Sequence, residues 1–337
     1  MPADVLYRVR NLSVDYNTRF GPLTAADRVS LDIHRGEVLG LVGESGCGKS
    51  TLGKALMRMV QPPGYITSGE LWFDGQDLMT LSDRQMRDVR GRRIAMVFQD
   101  PMTSLNPVQS ILDHITETIL THEKQTKIKD AEARAAELVD RLGITARRLD
   151  DYPHQLSGGM RQRVMISLAL TLHADLVIAD EATTSLDVIV EAQFLDMLRA
   201  LRQEFNLTIL LITHNIGVVA ELSDRVAVMY AAKLVELGDV REVFGNPQHP
   251  YTQGLMKSVP NIKLQDYELY KMEGSPPDLI VPPAGCRFHP RCPHVMEICS
   301  QHEPGFLSHQ PDHYTACWIY DPHDEALPRQ AVTSDQA

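Results

Sequence analysis

One stretch constrains this 337-residue chain more than any other: Gly43-Glu44-Ser45-Gly46-Cys47-Gly48-Lys49-Ser50-Thr51. It fits G-x-x-x-x-G-K-[ST], in which glycines let the backbone curl until successive N–H groups point inward at an anion. Before it, Val38 to Val42 is a short apolar run suited to a buried parallel strand, and after it Ser50 to Met59 reads as a helix. The N-terminus of that helix adds positive partial charge at the same place. Lys49 can reach the β- and γ-phosphates of a nucleotide, and the Ser50 hydroxyl can ligate Mg²⁺. Strand, loop and helix in this order imply an α/β fold around a parallel sheet.

The rest of the chain supplies the strands and helices of such a fold. Val5, Tyr7 and Val9, then Leu12, Val14 and Tyr16, alternate with polar residues as half-buried strands do. Glu70 to Gly75 reads as a strand ending in an Asp-Gly turn, and Ser82 can cap a short helix that stops at Gly91. Ile94 to Phe98, Leu176 to Ala179 and Leu207 to Thr213 are buried strands, and Val226 to Tyr230 with Lys233 to Glu236 is a pair of edge strands. Two helices are expected within 109–142, the second from Asp130 to Leu142, and further helices over Gly158 to His173 and Asp187 to Phe205. After about residue 245 proline and histidine become frequent, so the expected organisation is a cassette over 1–245 with a helical subdomain at about 100–173. A loop-rich C-terminal segment over 246–325 and a disordered polar tail over 326–337 would follow. The net charge of −11 argues against a nucleic-acid surface. The longest apolar runs are too short to span a bilayer, and no signal peptide is visible.

Two further motifs carry chemistry. Asp180 and Glu181 end the apolar run Leu176 to Ala179. A carboxylate there can hold Mg²⁺, and its neighbour can accept a proton from an attacking water. Leu156-Ser157-Gly158-Gly159-Met160-Arg161-Gln162 opens a helix with a hydroxyl and free N–H groups, a second anion site. One nucleotide needs only one phosphate loop, so a second phosphate-reading helix start makes sense against the nucleotide of another subunit.

With these residues in order, residues 5 to 245 resemble the ATPase subunits of ABC transporters. The resemblance implies a P-loop NTPase fold with a RecA-like core, an antiparallel β-subdomain and a helical subdomain. It implies that Tyr16 stacks on adenine, that Gly43 to Thr51 is the Walker A loop, and that Gln99 is the Q-loop glutamine that senses Mg²⁺ together with Ser50 and Asp180. Leu156, Ser157, Gly158, Gly159 and Gln162 would be the signature motif contacting ATP in trans. Asp180 and Glu181 would be the Walker B pair, Ser185-Leu186-Asp187 the D-loop, and His214 the switch histidine. Catalysis would rest on Glu181, His214 and Lys49. The sequence departs from the pattern at Ala182, where Pro is usual, and at Asn215, where Asp is frequent. Plain readings of Tyr16 as a strand aromatic, Gln99 as loop and His214 as a strand-end histidine remain open.

Gln99-Asp100-Pro101-Met102-Thr103-Ser104-Leu105-Asn106-Pro107 and His249-Pro250-Tyr251-Thr252-Gln253-Gly254-Leu255 narrow the resemblance to the oligopeptide/dipeptide permease ATPases. So does the C-x5-C-x6-C-x17-C array of Cys286, Cys292, Cys299 and Cys317, with Pro290-Arg291-Cys292-Pro293 inside it. Four thiols in a Pro-rich, core-poor segment suggest a metal staple. The spacing lacks the C-x2-C pairs of structural zinc and differs from the common ferredoxin runs. A 4Fe–4S cluster is what the resemblance implies; zinc, or free or oxidised thiols, stay open. Cys47 is expected to have no metal role. The implied partners are a second, paralogous ATPase subunit, two membrane permease subunits and, indirectly, a substrate-binding protein, at the cytoplasmic face of the cell membrane. The implied function is a motor for di- or oligopeptide import. Nickel, glutathione, oligosaccharide or antimicrobial-peptide cargo, and a non-transport ABC ATPase, are the alternatives. Against the last, the interval from Lys49 to the signature holds an ordinary helical insert and the chain carries one cassette.

Overall fold

Runs of β-branched and apolar residues set the framework. In the computed structural model, which describes residues 4–183, 187–258 and 272–321, the strands Val38–Val42, Leu176–Asp180 and Thr208–Ile212 are buried at every position. That is how strands covered on both faces read. The chain divides into two units: Met1–Arg8, Asp32–Val38 and Leu71–Thr213 in the first, Val9–Leu31, Leu39–Glu70 and His214–Ala337 in the second.

In the first unit Ile94–Val97, Leu176–Asp180 and Thr208–Ile212 are parallel, with Leu176–Asp180 in the middle; Ile178 stands opposite Met96 on one side and Leu210 on the other. The helices Gly158–Leu170 and Val188–Phe205 pack with them through Ile166, Ala169, Phe194 and Leu198. The helical insert forms as expected. Ile111–His122 starts at a capping box between Ser110 and Asp113 and buries Ile111, Ile115 and Ile119. Ile128–Arg141 follows, its buried stripe made by Ala131, Ala135 and Val139, with Gly143 beyond it at φ 72°. The Asp74-Gly75 turn has positive φ at both residues, 50° and 77°.

In the second unit Val38–Val42 runs parallel to Arg225–Tyr230, which pairs antiparallel with Lys233–Asp239. The tip joining the last two is Ala231-Ala232, both in the left-handed region, with φ 45° and 71°. The composition changes near residue 245, but the pairing continues: His313–Thr315 adds to the open side of Lys233–Asp239, and Leu307–Gln310 adds to His313–Thr315. The aromatic rings of Tyr230, Tyr251 and Phe288 meet in one buried cluster, with centroids 4.6 to 5.6 Å apart. The segment expected to be poor in core therefore shares one. The expected tail at 326–337 lies outside the described residues.

A four-stranded sheet, Val5–Thr18, Gly21–His34, Gly64–Phe73 and Gln76–Asp77, has the second strand on one edge and the first beside it. The alternation that shifts phase between Val9 and Leu12 is one continuous strand. Asn11 takes φ 48° and the side chains change face there, its N–H donating to Ser30 Oγ at 2.8 Å.

Candidate nucleotide site

The loop Gly43–Gly48 sits between the strand Val38–Val42 and the helix Lys49–Leu56. Gly43, Gly46 and Gly48 have φ of 155°, 79° and 108°. A Cβ on Gly43 would lie 2.1 Å from the Met229 carbonyl oxygen and one on Gly48 1.9 Å from that of Ala25, so both positions need glycine for space as well as for conformation. The helix has no side-chain cap and no acid in its first turn. A helix start of that kind suits an anion. Lys49 is buried, and its Nζ donates to the carbonyls of Gly43 at 2.8 Å and Glu44 at 3.0 Å. Cys47 is buried, which pushes its thiol up and makes it a poor nucleophile or ligand. Tyr16 is half-buried, packed on Gly64, with its hydroxyl 3.4 Å from Thr51 Oγ1 at the start of the helix. Such a ring beside the loop can stack on a base. Ser45 and Gly46 are exposed, as is His214 just after the strand Thr208–Ile212. Asn215 accepts from the N–H groups of Gly217 and Val218, so it caps the next helix as an Asp would.

In the other unit the strand Leu176–Asp180 ends as expected in two carboxylates. Asp180 is buried. Glu181 turns into the left-handed region at φ 46°, with its N–H donating to the Ile212 carbonyl at 2.8 Å. That turn brings its carboxylate to Gln99, whose Nε2 donates to Glu181 Oε2 at 2.8 Å. A non-glycine residue held there costs about 1 to 3 kcal/mol, a strain found at sites where a side chain must be aimed. Ala182, in place of proline, is buried and leaves this geometry in place.

The signature stretch is brought out only in part. Ser157 and Gly158 are exposed at the start of Gly158–Leu170, and Ser157 Oγ accepts from the Met160 N–H at 3.3 Å, which leaves its hydroxyl proton free to donate outward. Leu156 and Gln162 are buried, at 3% and 0% exposed, and face the interior of their unit. The helix is buried nearly all round, so one turn beyond the glycines its side chains have turned inward. Asp187 is exposed and caps Val188–Phe205 through the N–H groups of Ile189 and Val190; Ser185 and Leu186 lie outside the described residues.

The four C-terminal cysteines line one small cavity, with Phe288, Met296 and Trp318 among its walls. Burial pushes the Cys286 thiol up to about 12, with Cys299, Cys317 and Cys292 raising it further, and pushes the Cys317 thiol up to about 11, with Cys292, Cys299 and Glu236 raising it further. Among the described residues no three His, Cys, Asp or Glu side chains stand at the spacing of a metal's ligands. Four soft donors facing one apolar cavity nonetheless suit a thiolate-bound group in number and kind.

The geometry also contains residues that the sequence reading did not place at the site. Tyr251 accepts from the Glu44 N–H at 2.9 Å, and Arg291 grips the Glu44 carboxylate with both terminal nitrogens at 2.8 and 3.0 Å. Both stand in stretches singled out above, His249 to Leu255 and Pro290 to Pro293. Nothing in those stretches points to a loop more than 200 positions earlier.

Residues 26–184 match the family model described as ABC transporter, and 235–299 the one described as oligopeptide/dipeptide transporter, C-terminal region. The dipeptide transport ATP-binding protein DppD of Bacillus subtilis is 44% identical over 320 residues, covering 94% of this chain and 95% of that one. The oligopeptide transport ATP-binding protein OppD of Salmonella typhimurium is 42% identical over 328 residues, covering 97% and 96%. Among solved structures, the ATP-binding cassette MJ0796, a dimer in a post-hydrolysis state bound to ADP and Pi, superposes with a TM-score of 0.63 at 26% identity, covering 70% of this chain and 99% of that one. Clostridium perfringens cbiO1, part of the ABC transporter complex cbiONQ, gives 0.61 at 28% identity, covering 72% and 92%. Fold and motifs are those of an ABC-cassette P-loop ATPase, for which ATP and Mg²⁺ are fitting ligands. More narrowly, the chain belongs to the family of oligopeptide and dipeptide ABC transporter ATP-binding proteins.

Proposed function

We propose that this chain is the ATP-hydrolysing motor subunit of a membrane importer for di- or oligopeptides. The observation that carries the reading is the glycine-built loop ahead of an uncapped helix start, with Lys49 buried beneath it. The names of its relatives, dipeptide and oligopeptide transport ATP-binding proteins, support the cargo. Gly43 to Thr51 cradle the phosphates and Tyr16 stacks on the base. Mg²⁺ is held by Ser50 and Asp180, with Gln99 near it. Glu181 orients water for in-line attack, while Lys49 and His214 stabilise charge on the departing phosphoryl group.

A second cassette, a paralogue, closes on the same nucleotides, and each ATP meets Ser157, Gly158 and Gly159 of the other subunit, with Ser185 to Asp187 at the seam. Among the described residues no helix is long and apolar enough to cross a membrane. In this reading two permease subunits supply the membrane path, a substrate-binding protein delivers the peptide, and the chain works at the cytoplasmic face. Glu181→Gln is expected to keep ATP binding, slow turnover about 10²- to 10⁴-fold and trap an ATP-dependent dimer with the partner cassette. Adding Ser157→Arg disperses that dimer. A Glu181→Gln chain that turns over normally, or stays monomeric beside its partners, refutes the scheme. Uptake of labelled dipeptides by a deletion strain complemented with the gene, set against nickel and glutathione uptake, tests the cargo.

Cys286, Cys292, Cys299 and Cys317 would hold a 4Fe–4S cluster, which stands wider than one zinc ion and would tie the loops of this segment together. Their shared cavity supports the reading. Anaerobically purified protein is expected to contain iron and acid-labile sulfide and to absorb in the visible. A colourless, iron-free chain of full activity refutes it.

A further inference from the structure

We infer that Arg291 is a positioning residue for nucleotide binding: from the C-terminal segment it holds the phosphate loop in its binding shape through Glu44. The inference rests on the nucleotide reading of that loop. Glu44 is fixed at three points. Its N–H is taken by the Tyr251 hydroxyl, its carbonyl by Lys49, and its carboxylate by the two-pronged grip of Arg291. Arg291 is itself locked: its side chain is 5% exposed, Nε donates to the Glu273 carbonyl at 3.0 Å, Nη1 also donates to the Tyr230 hydroxyl at 3.3 Å, and the guanidinium lies 5.7 Å from the Tyr230 ring centre. A fork held this rigidly fixes direction as well as charge. The same segment reaches the loop a second way. Arg287 donates to the Ala231 carbonyl, and the next N–H of that hairpin tip, Ala232, donates to the Cys47 carbonyl at 2.9 Å.

The physical consequence follows from the glycines. Gly43, Gly46 and Gly48 lower the barrier to the curled shape but also give the free loop many other shapes, and ordering it costs conformational entropy. A loop ordered beforehand by Arg291 and Tyr251 leaves less of that cost to nucleotide binding. Arg291 also offsets a carboxylate that would otherwise face an incoming triphosphate. Both effects act on affinity, and neither touches the bond that breaks. The signature is therefore a raised Kd and KM with kcat preserved.

The test titrates Mg–ATP into the full-length chain by calorimetry and measures turnover of the assembled transporter. Arg291→Gln is expected to weaken ATP binding roughly 5- to 50-fold, with turnover at saturating ATP within about twofold of wild type. In a Glu44→Gln background the same substitution is expected to change Kd less than about threefold, since its route is already cut. An Arg291→Gln chain within twofold of wild type in Kd overturns the inference, as does an equal effect in both backgrounds. If Arg291→Gln does not fold, Arg291→Lys carries the test: it keeps the charge and loses the fork, so a Kd within twofold of wild type overturns the inference equally. Wild type and Lys49→Ala serve as controls. ATP binding absent in the first, or undiminished in the second, removes the nucleotide reading itself.

Discussion

The buried carboxylate of Glu236 gives the most demanding test of how the C-terminal strands are held. Glu236 is fully buried and accepts three hydrogen bonds, from the N–H groups of Gln248 at 2.7 Å and His249 at 3.0 Å and from His313 Nε2 at 2.7 Å. Only the last comes from a side chain, and His313 belongs to the strand added to the sheet edge. His313→Leu removes it. Depriving a buried carboxylate of its side-chain partner costs about 3 to 5 kcal/mol, and the two backbone donors that remain place the cost at the low end. One contribution has the opposite sign: His313 Nδ1 finds no partner among the described residues, so leucine removes an unsatisfied atom worth about 1 kcal/mol. The net expectation is a loss of about 2 to 3 kcal/mol, a large share of a typical domain's 5 to 15. Urea unfolding followed by fluorescence reads it, because Trp318, one of two tryptophans, is buried three residues beyond Thr315. The companion Glu236→Gln/His313→Leu removes the charge that was left alone and should recover at least half of the loss. A single variant that loses under 1 kcal/mol, or a double variant as unstable as the single, refutes the account.

Two further predictions concern the same unit. Ala232→Gly relieves a left-handed alanine, which costs roughly 1 kcal/mol, while adding freedom to the unfolded chain; the expected result is a melting temperature unchanged or raised by a few degrees, and a fall of several degrees would contradict the backbone reading. Burial opposes the charge on Asp27, yet Lys233, Arg287 and Arg28 together hold its carboxyl below the usual carboxylate range. A depressed folded value means that this stabilisation is complete above about pH 4 and is lost as pH falls through the folded value. Asp27→Asn should therefore be less stable at pH 7 and show a flatter acid limb; an unaltered limb would show that the cluster carries none of the dependence.

Local patterns carried much of this in the sequence. The phosphate loop, the buried strands around it and the capped helices follow from spacing and residue type within windows of ten to twenty positions. What stayed hidden depends on pairs far apart. Arg291 and Glu44 are 247 positions from each other, Glu181 and Gln99 82, and no periodicity joins them. The burial of Gln162 was hidden for a different reason: motif membership says nothing about which way a helix turns its side chains, and one turn past Gly159 this one is buried. The C-terminal strands of three and four residues were too short to show alternation, and the aromatic cluster at Phe288 draws on three separate segments, none of which looks like core alone.

The short strands at His313–Thr315 and Leu307–Gln310 also act as a bumper. Shorten the chain to residue 245, the size at which a minimal cassette would ordinarily be cut, and the seven-residue strand Lys233–Asp239 lies bare along one side. Its amides would then be open to the same strand of another molecule, and its mid-strand acid would lose the imidazole hydrogen-bonded to it. Such a fragment would clump during expression, and the fault would lie in a missing fender rather than in the engine.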